Sequence, residues 1–205
     1  MAFTDNTMFE ITVSNSSRNN TQHVSGMYGS MSDNTFTGTD CSAGFLVTPD
    51  SLIPSEGYES FDILNGNTWY MVNATNTSGS GHDHTGIYAL DVYDVNKVIS
   101  GDLQYNLGAH TLGLGLPSGV RGDFCELIIG EQYTWGAGNL SGSSIAVGDT
   151  FYVNNGVWTK YTASTGIQGL TAKLLRTKPI TEGTYPAQTG YVLKIVGFLA
   201  AASGD

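Results

Sequence analysis

The chain reads as an all-β protein: a short-stranded sandwich or barrel body followed by a small C-terminal β-module. Three observations predict this. Only 13% of its 205 residues are Asp, Glu, Lys or Arg, and the polarity comes instead from Ser, Thr, Asn and 27 Gly. Bulk comes from 11 Tyr and 8 Phe, and turn-rich β-proteins draw on Gly, Asn, Thr and aromatics where helical ones draw on Ala, Leu, Glu and Lys. The apolar runs are short and separated by turn residues, and no longer period repeats, which excludes solenoids and propellers.

Taken in order, MFEITV (Met8–Val13) is the first strand, closed by the polar stretch SNSSRNNTQ. GFLVT (Gly44–Thr48) follows, with Pro49 and Pro54 marking an irregular crossing or an edge. TWYMVNA (Thr68–Ala74) leaves the Asn65-Gly66 turn as a strand, TSGSGHDHTG (Thr77–Gly86) is a loop without apolar residues, and IYALDVY (Ile87–Tyr93) is the next strand. Leu103–Leu107, a glycine-rich segment at 108–119 and FCELII (Phe124–Ile129) complete an acidic body over residues 1–135. GAGNLSGSS (136–144) reads as a connector of small residues. The module at 145–205 opens with a hairpin, Thr150–Val153 and Val157–Tyr161 around Asn154-Asn155-Gly156, and adds Leu170–Leu175 and Tyr191–Leu199.

Charge follows position. Residues 1–150 hold sixteen acids against Arg18, Lys97 and Arg121, a net of −13. Residues 151–205 hold Lys160, Lys173, Arg176, Lys178 and Lys194 against Glu182 and Asp205, a net of +3. Such a split suits two faces with different neighbours, or an uneven spread of solvated charge. A sequence pI near 4.5 opposes the phosphate attraction on which nucleic-acid binding depends. No run reaches the roughly 18 apolar residues of a membrane span, and the start lacks a basic, apolar signal pattern. A soluble protein made in the cytosol is the expectation, with Cys41 and Cys125 as free thiols.

Enzyme chemistry finds little support. His82-Asp83-His84 is the one cluster with metal-like spacing, but in an extended segment Asp83 points away from the two imidazoles and no third ligand is identifiable. Asp91 and Asp94 fall on opposite faces of a strand. The segment Gly113–Gly119 lacks the spacing and following Lys-Ser/Thr of a phosphate loop and reads as a tight turn or close strand packing. No catalytic residue, metal or organic cofactor is expected.

The strings GFLVTPDSLIPSEGYES, NGNTWYMVNAT, IYALDVYDVNKVI, GAHTLGLGLPSGVRGDF and YTWGAGNLSG, followed by VGDTFYVNNGVW, resemble structural proteins of tailed bacteriophages of Gram-positive bacteria, over roughly residues 44–200. Within that group the resemblance is to head decoration (auxiliary or cement) proteins. It implies a protein assembled in the host cytoplasm that sits on the capsid exterior, binds the major capsid protein and stabilises the shell, with no nucleic-acid or membrane partner. Self-association into a homo-oligomer stays open. On the charge split, Lys173, Arg176 and Lys178 are the candidate capsid contacts. Two other readings stand beside it. One is a receptor- or carbohydrate-binding module of a phage fibre or tail, with Trp69, Trp135 and Trp158 as exposed stacking platforms. The other is a small cell-wall glycoside hydrolase, which needs two convergent carboxylates.

Overall fold

The computed structural model describes residues 6–13, 23–33, 35–52, 68–75, 84–91, 115–162, 169–180 and 188–199. Among these the chain is nearly all strand, as its composition predicts, with one 3-10 turn at Ala137–Asn139 and no α-helix. In chain order the strands are β1 (Phe9–Val13), β2 (His23–Ser32), β3 (Thr35–Gly38), β4 (Cys41–Ser42), β5 (Leu46–Leu52), β6 (Thr68–Asn73) and β7 (His84–Asp91). Then come β8 (Gly115–Leu116), β9 (Arg121–Ile128), β10 (Gln132–Gly136), β11 (Leu140–Ser141), β12 (Thr150–Asn154), β13 (Val157–Lys160), β14 (Gly169–Ile180) and β15 (Gln188–Leu199).

Five strands form a closed ring, β2-β6-β5-β7-β9, because β9 pairs back onto β2; β3 extends the sheet beside β2. Closure removes the bare edges that an open short-stranded sheet would expose. Tyr28, Val47, Met71, Tyr88, Leu90 and Phe124 fill one core with Cys41 and Leu116. Gly26 is needed here, because a Cβ on it would lie 2.5 Å from Met71 Cγ. The strand HVSGMYGSMS is therefore too small and polar to show as an apolar run, and β2 and β3 are absent from the sequence reading.

The second layer is a seven-stranded sheet in the order β1-β10-β15-β14-β12-β13-β11. Its inner face carries Phe9, Tyr133, Trp135, Phe151, Val153, Trp158, Leu170, Leu174, Leu193 and Ile195, and these pack on Leu46, Ile87, Ala89, Cys125 and Leu127 from the barrel wall. Strands β7 and β9 thus serve two cores, with Tyr88, Leu90 and Phe124 on one side and Ile87, Ala89, Cys125 and Leu127 on the other. Burial on both faces is why IYALD and FCELII are continuous apolar runs rather than alternating ones.

The boundary expected at 136–144 does not separate two cores. β1 pairs with β10 and β10 with β15, so the sheet joins the first and last described strands. The glycines read as a connector permit close approach: a Cβ on Gly136 would lie 2.0 Å from the Asn6 carbonyl oxygen. Asn139 is buried; it accepts from the Met8 N–H at 2.9 Å and donates to the Ala43 carbonyl at 2.8 Å. The Asn155–Gly156 turn has φ of 46° and 81°, as a two-residue hairpin requires. Its tip docks on the barrel, where Gly156 bonds the backbone of Leu46 and Ala74, and Asn155 accepts from Asn73, which in turn accepts from Tyr28.

Other expectations are refined. The 77–86 loop gives way to β7 at His84, and its earlier residues lie outside the described residues, as does Leu103–Leu107. Pro117–Val120 is a tight turn closed by the Val120 N–H on the Pro117 carbonyl, with Gly119 at φ 75°. β14 runs to Ile180 through Pro179, past the last residue that pairs with β12, where proline's missing N–H removes no ladder bond. Both cysteines are buried free thiols.

Trp135 and Trp158 meet edge to face at 5.4 Å in the core. Trp135 Nε1 donates to the Gly44 carbonyl at 3.2 Å, whereas Trp158 Nε1 has no partner among the described residues. Urea denaturation should therefore show Trp135→Phe costing about 1 kcal/mol more than Trp158→Phe, the worth of a buried hydrogen bond; equal losses would contradict this. Burial, reinforced by Cys41 and by Glu126 respectively, pushes the Tyr28 and Tyr88 hydroxyls up to about 12 from an ordinary 10.0. A tyrosine that resists ionisation only when folded contributes stability that is complete below about pH 10 and lost as pH rises toward 12. Stability should hold to about pH 10 and then fall, with a shallower fall in Tyr28→Phe and Tyr88→Phe; an unchanged alkaline slope in both would contradict the assignment.

Candidate functional site

Side chains directly opposite one another in a sheet share a face, so the register defines what the seven-stranded sheet presents away from the barrel. One rung reads Gln132, Lys194, Lys173, Thr150 across β10, β15, β14 and β12. The Tyr161 N–H bonds the Thr150 carbonyl at 2.8 Å at the end of this rung, and Tyr161 is exposed. On the next rung Arg176 lies opposite Val192, two residues before Lys194 on β15 and hence on the same face, where Val192 and its β10 neighbour Thr134 are themselves covered. A register shift between Leu174 and Arg176 re-aims this part of β14. Lys173, Lys194 and Arg176 are exposed, and none has a carboxylate partner among the described residues.

Charge divides by layer. Barrel segments 23–52, 68–75, 84–91 and 115–128 carry Asp33, Asp40, Asp50, Asp91, Asp123 and Glu126 against Arg121. The remaining described residues carry Lys160, Lys173, Arg176, Lys178 and Lys194 against Glu10, Glu131 and Asp149. Two of those three acids are taken by lysines: Asp149 pairs with Lys160 at 2.7 Å, and Glu10 with Lys178. That Lys160 pairing, with the Ala146 N–H, holds the Asp149 carboxyl below its ordinary range. The third, Glu131, is buried and accepts from the Tyr133 hydroxyl at 3.1 Å.

Of the three basic residues singled out in the sequence, the fold keeps Lys173 and Arg176 together on the exposed face and ties Lys178 to β1 through Glu10. Lys194 is the residue the sequence reading passed over. It stands in the run YVLKIVGFL, where its place between buried Leu193 and Ile195 marks an outward position at period two. Facing Lys173 across the strands, it opposes like charges at a Cβ separation of about 5 Å, which costs about 0.2–1 kcal/mol.

The stacking-platform candidates are corrected in part. Trp135 and Trp158 are fully buried and form the shared core, so neither offers a ring to a ligand. Trp69 is half-buried against the barrel core. A half-buried stack of Phe36 on Tyr70, with centroids 4.1 Å apart, lies on β3 and β6. His82, Asp83 and Asp94 lie outside the described residues, and His84 opens β7. Asp91 lies opposite Asp123 across β7 and β9, a carboxylate pair that sequence spacing could not show because 32 positions separate the two residues.

No family model, curated protein or solved structure matches the chain. Among the described residues no helix is long and apolar enough to cross a membrane, and no group of three metal-ligating side chains assembles.

The Lys178–Glu10 pair is roughly a quarter exposed on each side, so it ties down β1 only modestly. A double-mutant cycle with Lys178→Gln and Glu10→Gln should return a coupling of about 0.5–1 kcal/mol that shrinks with added salt. A coupling near zero would remove the pair as an anchor for β1.

Proposed function

We propose that the chain is a virion structural protein that decorates the outside of a bacteriophage capsid, binds the major capsid protein and stabilises the shell. The observation that carries this reading is the exposed cluster of Lys173, Lys194 and Arg176 on the outward face of the seven-stranded sheet, on the opposite side from an acidic barrel. A stable contact needs about 800 Å² per partner. At about 3.3 Å of rise and 4.8 Å of spacing per residue, the 45 residues of its seven strands give a face of about 700 Å², close to that area. The sheet face seats on the shell and the barrel points outward. Its acids disfavour nucleic acid and other polyanions on that side. Stabilisation follows from mass action, because a protein that binds only the assembled lattice lowers the free energy of that state.

The resemblance to head decoration proteins and the all-β build support the same reading. A particle exposed outside the cell gains from strands locked into two shared cores, with few charged, flexible side chains. Exposed tryptophan platforms no longer favour the carbohydrate-binding reading, since two of its three residues are core.

The purified protein should co-sediment with preformed capsids lacking it and raise the temperature at which they break. Particles that ignore the protein, or that are equally robust without it, would contradict the proposal.

A further inference from the structure

We infer that the Lys173–Lys194 cross-strand pair, with Arg176 on the next rung, is a clamp for carboxylates on an acidic protein surface, and that Lys178 lies outside it. The inference deepens the capsid-docking reading and rests on it for the identity of the partner.

The lysine pair carries an uncompensated cost in the free protein. Opposed like charges on a sheet disfavour the free fold, and neither lysine has an acid beside it among the described residues, although Lys160 and Lys178 each have one. Carboxylates arriving from outside would turn that repulsion into two charge-assisted contacts at neighbouring positions. Arg176 adds a planar fork that takes a carboxylate bidentately. Gln132 and Thr150 flank the lysines on the same rung, with Tyr161 at its end. This is a row of hydrogen-bonding groups around a charged centre, the chemistry of a protein contact rather than of an enclosed small-ligand site.

The charge balance selects carboxylates over a phosphate polymer. Three exposed cations are too few to hold a nucleic acid against a barrel carrying six acids and one arginine among its described residues. An acidic protein patch needs only local complementarity, and its attraction falls off within about 10 Å at 0.1 M salt. Lys178 contributes nothing to this clamp because its ammonium is committed to Glu10.

The test uses the full chain with Lys173→Gln, Lys194→Gln, Arg176→Gln and Lys178→Gln, read in two ways. In the first, thermal unfolding of the free protein at low salt should show Lys173→Gln and Lys194→Gln raising the midpoint by about 1–3 °C. Lys178→Gln should lower it. In the second, binding to immobilised poly-glutamate and to duplex DNA is compared. Poly-glutamate should bind in preference to DNA, with the Lys173, Lys194 and Arg176 variants each weakened on the order of threefold and Lys178→Gln unchanged. The clamp is overturned if Lys178→Gln weakens binding as much as Lys194→Gln, if DNA binds as well as poly-glutamate, or if neither lysine variant stabilises the free fold. Failure of the wild-type protein to bind capsids while these results hold would instead sink the capsid reading and leave the clamp standing.

Discussion

Strands β7 and β9 each form a wall of two interiors at once, and the rest of the architecture depends on that. Tyr88, Leu90 and Phe124 point into the barrel, while Ile87, Ala89, Cys125 and Leu127 point into the core beneath the seven-stranded sheet. A strand in this position has no face to spare for water, so nearly every residue from 87 to 90 and from 124 to 128 is buried. Each buried apolar side chain of this size contributes about 1.5–3 kcal/mol, and the two strands deliver it on both sides. Separation of barrel from sheet would expose one whole side of each strand.

The contacts that cross the junction follow from this shared wall. Trp135 on β10 reaches the Gly44 carbonyl, Asn139 holds both Met8 and Ala43, and the Gly156 turn of the β12–β13 hairpin bonds Leu46 and Ala74 at the mouth of the barrel. The Tyr28–Asn73–Asn155 chain carries polar bonding from barrel to hairpin. Trp135 Nε1, the Asn139 side-chain amide N–H and the backbone of Gly156 would lose these partners if the layers parted, and a buried polar group left unpaired costs about 1–3 kcal/mol.

Much of this was legible in the sequence, for identifiable reasons. Strands buried on one face or both leave apolar runs, so TWYMVN, IYALD, FCELI and YVLKIVGFL announce themselves, and Asn155-Gly156 announces its turn. What stayed hidden was tertiary in origin. Glycine carries two opposite meanings: in 136–144 it suggests a loose connector, yet Gly136 lies against the Asn6 carbonyl in a tight crossing. β2 lacks bulk because Met71 and Phe36 occupy the space above Gly26 and Gly29, and a strand made small for its neighbours shows no pattern of its own. The basic face was half legible. The excess of Lys and Arg near the C-terminus was visible, but only the register shows that Lys194 faces Lys173 and that Lys178 is drawn to Glu10.

Architecture and proposed role meet in the division of charge by layer. A rigid two-core body can hold acids on one side and free cations on the other without collapsing them together, which gives a decorating protein a defined orientation. That requires barrel and sheet to behave as a single unit, and the two thiols report on it from different places. Cys41 is in the barrel core, where burial pushes its thiol up, and Cys125 is in the shared core. Native-state thiol labelling across a denaturant series measures the free energy of opening at each. The account predicts that both cysteines open with the same free energy and the same denaturant slope, equal to those of global unfolding. A smaller free energy and a shallower slope at Cys41 alone would show the barrel opening by itself, and would contradict it.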